Sequence, residues 1–190
     1  HSITAWILGL VKARVTWHTS LLGPLFVVSA VVSGLALVIV SAIVARVLIG
    51  LSVKRQTIVD LGKLLAFTIP VLGYFLFAEL LTVTFGNAPA EMHVFREMIW
   101  GHFAPAFWAN LILGLVVPLL LLISPARKTL TGVGIASALV VLGVFLERSN
   151  IVILPQLHRL LFPFYPHGSY TPTLVELSIA GGIYALGAVV

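Results

Sequence analysis

Cysteine is absent from the 190 residues. Disulfides are thereby excluded, and so is an iron–sulfur cluster held by the chain's own thiolates. Charge is nearly as scarce. Asp, Glu, Lys and Arg make up 9% of the residues, against about 25% in a soluble domain, which excludes an ordinary water-soluble globular class. Histidine occurs six times, but only His1 falls in an apolar run, while His18, His93, His102, His158 and His167 fall at helix ends or in loops. A b-type haem needs two imidazoles on facing helices at one depth, so none is expected here. The lack of an HxxxH or ExxH pair on a helix argues against a metal site as well. No phosphate-binding loop and no GxSxG nucleophile motif occurs. The eleven Lys and Arg residues are scattered at helix ends, where snorkelling and orientation account for them better than nucleic-acid binding does. A signal-peptide pattern is lacking. The chain opens at His1 without Met and closes at Val190 inside an apolar run, so it reads as a segment of a longer protein.

What is present is apolar: 60% hydrophobic residues and a mean hydropathy of +1.15. Such a chain belongs in a bilayer, where only helices and closed barrels satisfy the backbone. Its apolar runs are long and unbroken rather than alternating. The expected fold class is therefore an all-α, polytopic transmembrane bundle. Residues 1–11 read as the end of a preceding transmembrane helix, 21–154 as a four-helix bundle, 155–171 as an extramembrane loop and 172–190 as the start of a further transmembrane helix. Within the bundle the helices are expected over about 21–49, 62–85, 104–123 and from 130 to 146 or beyond. Pro24 stands in the first turns of its helix, where proline is tolerated, whereas Pro70 and Pro118 fall inside theirs. Ser29, Ala30, Ser33 and Gly34 form two small-xxx-small pairs that permit close helix contact. The segment from Gly86 to Gly101 is expected to be a loop carrying a short surface helix.

Basic residues divide almost evenly. Arg46, Lys54, Arg55, Lys63, Arg127 and Lys128 flank two short connections, and Lys12, Arg14, Arg96, Arg148 and Arg159 fall on the other side. The excess of one places the short basic connections in the cytoplasm. The opposite end is more elaborate. It gathers His18, the loop with His93 and His102, the stretch Glu147-Arg148-Ser149-Asn150 and the aromatic connection Ile151–Tyr170. Function, or a partner, is expected at that end.

Four places there can carry chemistry. Glu79 lies inside its helix, and a carboxyl in the membrane is costly enough to be a functional candidate, holding its proton or paired with a base. The plainer reading is an interhelical hydrogen bond with a packing role. Arg148 and Asn150 can donate hydrogen bonds to a carbonyl ligand, and the plainer reading of Arg148 is a snorkelling helix end. His18 sits beside Trp17 where a ring nitrogen can bind an oxygen and pass a proton, or can simply be an interfacial histidine. Glu176 closes a capping box in Thr173-Leu174-Val175-Glu176, although such a residue can also face a site.

Several short motifs are familiar in their order. His1-Ser2-Ile3-Thr4-Ala5-Trp6, Trp17-His18-Thr19 leading to Pro24-Leu25-Phe26, Leu76-Phe77-Ala78-Glu79-Leu80, Phe103-Ala104-Pro105-Ala106-Phe107-Trp108, Glu147-Arg148-Ser149-Asn150 and Tyr170-Thr171-Pro172-Thr173-Leu174-Val175-Glu176 span nearly the whole chain. Together they resemble the NrfD/PsrC family, the polysulfide reductase-type integral-membrane subunits, whose DsrP- and HybB-like subgroups share the pattern. Ser149 stands where relatives usually carry an aromatic. The resemblance implies a multi-pass subunit of the prokaryotic cytoplasmic (inner) membrane, working in anaerobic respiration. Its diffusible substrate would be a quinone, menaquinone or ubiquinone, with no haem or iron–sulfur cluster in this chain. Electrons would be exchanged with a ferredoxin-like iron–sulfur subunit docked on the elaborate face. Behind it would stand a molybdopterin, hydrogenase or haem subunit of a sulfur-compound reductase or hydrogenase type. The residues carried over as quinone-site or proton-path candidates are His18, Glu79, Arg148 and Asn150, with Glu176 as an addition. The rival readings are a secondary transporter with helices broken at Pro70 and Pro118, and a passive membrane anchor.

Overall fold

The computed structural model describes residues 2–11, 17–50, 52–86, 89–101, 104–157 and 173–189. Among these residues every regular element is helical. In chain order they are α1 (Ser2–Gly9), α2 (Leu22–Leu48), α3 (Arg55–Gly86), α4 (Pro89–Trp100), α5 (Ala104–Ile123), α6 (Leu130–Leu157) and α7 (Leu174–Val189). Four of them, α2, α3, α5 and α6, are long and apolar enough to cross a membrane. At 1.5 Å per residue the 27 residues of α2 span about 40 Å, more than the ~30 Å of hydrocarbon in a bilayer. The all-α multi-pass architecture expected from composition is thus the one observed. Most of the 155–171 connection lies outside the described residues, as do Lys12, Arg14, His102 and Arg159.

Spacing explains which faces meet. Buried residues recur as Leu25, Val32, Ala36 and Ile39 on α2, and as Ile58, Leu65, Ile69 and Leu72 on α3. Leu122 of α5 and Val133, Ala136, Val140 and Val144 of α6 complete the same cluster. Steps of three, four and seven place one stripe on each helix. The other faces carry exposed Val31, Val38, Phe67, Leu120 and Leu142, which suits a hydrocarbon solvent. A smaller cluster of Ala5, Leu22 and Phe26, with Leu8 and Ile151 against it, joins α1 to the start of α2 and the far part of α6.

Helices run further than their apolar cores. α3 starts at Arg55 rather than near Gly62 because its polar first turns satisfy themselves. Gln56 Nε2 donates to Asp60 Oδ1 at 3.0 Å and Lys63 Nζ to the same oxygen at 2.7 Å. α6 continues through Glu147–Asn150 to Leu157. The polar stretch is therefore within a helix and not at its exit. Ser149 Oγ returns a hydrogen bond to Phe145 O at 2.9 Å, and Arg148 bonds to α2, so the polar residues do not end the helix.

α5 departs from a regular helix. Asn110–Val116 is wound as a π-helix, with Val117 N–H reaching Ile112 O. Pro118 follows, and proline supplies no N–H and crowds the carbonyl of the preceding turn, which the wider turn relieves. Within this segment Gly114 touches Gly143 of α6. A Cβ at Gly114 would lie 2.6 Å from the Gly143 Cα. The closest helix approach is therefore here and not along the Ser29–Gly34 stripe, where a Cβ at Gly34 would meet nothing within 4 Å. Ser29 is used differently: it accepts a hydrogen bond from Arg148.

The helix α7 belongs to a second compact unit, Leu157–Val190. Its capping box is closed: Thr173 N–H and Oγ1 donate to Glu176 Oε2 at 2.7 and 2.9 Å, and Glu176 N–H returns to Thr173 Oγ1 at 3.4 Å. Leu174 is its first helical residue.

The glycine contact gives a direct test. Gly143→Val is expected to lower the stability of the solubilised protein by about 1–3 kcal/mol through overpacking, read as a fall in the thermal midpoint. Gly34→Ala is expected to stay within about 0.5 kcal/mol of the parent, as an unconstrained surface change does.

Candidate functional site

One end of the four-helix bundle is hollow. A cavity of about 560 Å³ is lined by the turn before α2, by Leu22 and Leu25 of α2, and by α3, α4, α5 and α6. α3 contributes Gly73, Leu76, Phe77, Glu79, Leu80 and Thr82. α4 closes one side with Val94 and Phe95, and with Met98 one helical turn further on. From α5 come Phe107, Asn110, Leu111 and Leu115, and from α6 Glu147, Asn150 and Ile151. The walls are mostly aliphatic and aromatic, with a few polar groups placed among them. That is the usual make-up of a small-molecule site.

Backbone and side-chain ties hold the rim. Thr19 N–H donates to Trp17 O at 2.8 Å, and Thr19 Oγ1 accepts from Leu21 N–H at 3.3 Å, folding the turn that presents His18. Trp17 is buried and donates from Nε1 to Ile151 O at 2.7 Å, which fixes this turn to α6. His18 Nδ1 lies 2.9 Å from Gly9 O, the carbonyl left open where α1 ends. A carbonyl can only accept, so Nδ1 carries the proton and Nε2 is the ring nitrogen left for other partners. Trp108 Nε1 donates to Ile99 O at 3.2 Å, tying α5 to the end of α4.

The residues singled out from the sequence divide among different positions. His18, Glu79 and Asn150 all line the cavity, brought together from the pre-α2 turn, α3 and α6. Thr82, one turn beyond Glu79, lines it too, and its hydroxyl bonds Ala78 O at 2.8 Å. Arg148 is turned away, toward α2. It donates to Phe26 O at 3.2 Å and to Ser29 Oγ, and its guanidinium lies 3.6 Å from the centre of the Phe26 ring. It is half-buried against α2 rather than extended to the membrane surface. Glu176 caps α7 in the other unit. Two further lining residues, Asn110 and Glu147, are not among the candidates singled out from the sequence. Asn110 depends on the π-helical turn, and Glu147 stands beside a base that invites pairing. The i, i+3 spacing of Glu147 and Asn150 is the cue available for the second.

The fold and cavity define a class: a multi-pass, all-α membrane protein with a mostly apolar cavity at one end of the bundle. Comparison with known proteins narrows this. The family described as "Polysulphide reductase, NrfD" matches residues 1–158, and the chain belongs to that family. It is 31% identical over 209 aligned residues to a Halobacterium salinarum protein described as a membrane subunit of dimethyl sulfoxide reductase, covering 100% of this chain and 48% of that protein. It is 30% identical over 159 residues to the "Hdr-like menaquinol oxidoreductase integral membrane subunit" of Archaeoglobus fulgidus, covering 80% of this chain and 39% of that one. The chain thus spans about half or less of the length of the curated relatives it matches.

Arg148 is expected to matter for stability. Arg148→Ala removes two charge-assisted hydrogen bonds and a ring contact, and should cost about 2–3 kcal/mol. Thermal unfolding of the solubilised protein checks this. Arg148→Lys, which keeps the charge but loses the planar fork, should fall between the two.

Proposed function

We propose that this chain is the quinone- or quinol-interacting part of a membrane subunit in a multisubunit respiratory oxidoreductase. The observation that carries the reading is the cavity, where His18, Glu79 and Asn150 converge within apolar and aromatic walls at one end of the bundle. A quinone is an apolar ring with two oxygens, and its exchange between oxidised and reduced forms moves two protons with two electrons. Apolar walls suit the ring and its tail. Asn150 offers donors to an oxygen, while Glu79 and the Nε2 of His18 can exchange protons with it. The menaquinol named for the Archaeoglobus relative supports the same substrate class.

Electrons need another carrier, since the chain has no cysteine with which to hold an iron–sulfur cluster. A ferredoxin-like iron–sulfur subunit, docked at the cavity end, is the partner that completes the reaction. A further catalytic subunit stands behind it. The quinone then reaches the cavity from the prokaryotic cytoplasmic membrane, where this protein resides. In this reading Arg148 acts by position: it holds the polar stretch of α6 on α2, so that Asn150 keeps its place in the cavity wall. Glu176 is left with its cap.

The test uses the assembled complex in native membranes. Glu79→Gln, His18→Phe and Asn150→Leu are each expected to reduce quinol-linked turnover roughly 100-fold, the scale of a lost acid–base or orienting group, while assembly of the complex is unchanged. Full turnover in all three variants would sink the assignment.

A further inference from the structure

Three buried polar atoms of α6 have no hydrogen-bond partner among the described residues: Glu147 Oε1, Arg148 Nη1 and Asn150 Nδ2. Glu147 is 4% exposed, and its Oε1 has no hydrogen-bond partner among the described residues. Asn150 Nδ2 is buried and equally without one. Both residues line the cavity, and at i and i+3 they share one face of the helix. The base between them is turned to α2, where Arg148 Nη2 donates to Phe26 O and Ser29 Oγ, and Arg148 is not among the residues lining the cavity. Glu147 makes no salt bridge among the described residues, although it lies within electrostatic reach of Arg148 and of Glu79. A buried acceptor and a buried donor left open each cost stability. A ligand that supplies the partners recovers that cost.

The pairing selects a chemistry. An unmatched acceptor and an unmatched donor one turn apart suit a ligand oxygen that both donates and accepts, which is a hydroxyl. A carbonyl oxygen answers Asn150 alone, unless Glu147 itself carries the proton. We propose that Glu147 and Asn150 together bind one ring oxygen of the quinol, and that Glu147 is the base that takes the proton from it. This rests on the function proposed above and adds a catalytic residue to it. In the oxidative direction the O–H bond breaks and its proton passes to the Glu147 carboxylate. The second hydroxyl loses its proton to Glu79, the other carboxyl on the cavity wall. Two electrons leave to the iron–sulfur partner, and both ring oxygens end as carbonyls. Asn150 still donates to its carbonyl, and Glu147, now carrying the proton, donates to it as well. The reductive direction runs the same transfers backwards.

Glu147→Gln is the decisive variant, since it keeps the shape and hydrogen-bonding capacity of the side chain but cannot take up the proton. In the purified complex it is expected to bind a quinone-analogue inhibitor within about threefold of wild type while kcat falls roughly 100-fold. Glu147→Asp should recover part of kcat. In infrared difference spectra recorded on oxidation and reduction of the quinone, wild type should show carboxyl C=O signals, of which Glu147→Gln loses one and Glu79→Gln another. Unchanged kcat in Glu147→Gln, or a carboxyl signal untouched by that change, overturns the assignment of Glu147 while leaving the quinone site in place. A wild-type complex that binds no quinone analogue overturns both. Should Glu147→Gln fail to assemble, the wild-type spectrum decides: a carboxyl signal that Glu147→Asp shifts supports the assignment, and the absence of any such signal overturns it.

Discussion

The guanidinium of Arg148 sets which way the last turns of α6 face. It reaches across to α2, binds a backbone carbonyl and a serine hydroxyl, and lies over the Phe26 ring. Residues on a helix are about 100° apart, so fixing one fixes the others. With Arg148 held on α2, Glu147 and Asn150 are carried onto the cavity wall with Ile151 beside them. Ile151 then offers its carbonyl to Trp17, which positions the turn bearing His18. One charged contact therefore orders polar groups from two separate parts of the chain. In water such a contact would be weak. Inside an apolar bundle, where the alternative is an unsatisfied charge, it is costly to break.

A second constraint comes from glycine and proline in α5. A regular helix cannot pass Pro118 without losing a hydrogen bond, and the wider turn over Asn110–Val116 adjusts the backbone before it. The same turn carries Gly114 against Gly143, a contact that leaves no room for any side chain. These features pull α5 and α6 together just below the cavity. Asn110 at the head of the turn is thereby set in its wall. The hollow is the space left above a very tight helix crossing.

Much of this is legible in the sequence, because a bilayer imposes simple rules. Length and apolar content find all four spanning helices, and the Thr173–Glu176 pair locates the start of α7. Grouping polar residues by which end of a helix they occupy brings His18, Glu79 and Asn150 to one place. The harder features depend on contacts between helices. Ser29 and Gly34 are equally suited to close packing by size, and only the location of Arg148 and Gly143 shows why neither is used for it. Glu147 and Arg148 invite pairing because they are adjacent. Neighbours on a helix point about 100° apart, so adjacency in sequence works against pairing. That geometry, weighed against the attraction of opposite charges, is enough to separate their roles.

The two ends of the bundle now contrast for a physical reason. At the plain end, three charged side chains are tied off by the protein itself: Arg46 Nη1 donates to Val53 O at 2.8 Å, Arg55 bonds Lys128 O across the two connections, and Lys63 pairs with Asp60. The apolar core closes beneath them. At the other end the polar atoms of Glu147 and Asn150 are buried and left open, facing a cavity instead of a partner. A bundle whose only task was to hold other proteins in the membrane would gain stability from filling that space with aliphatic side chains. Keeping the hollow, the carboxyls and the widened turn beside it is a cost that a passive anchor has no reason to bear, and that the proposed proton-exchanging site does.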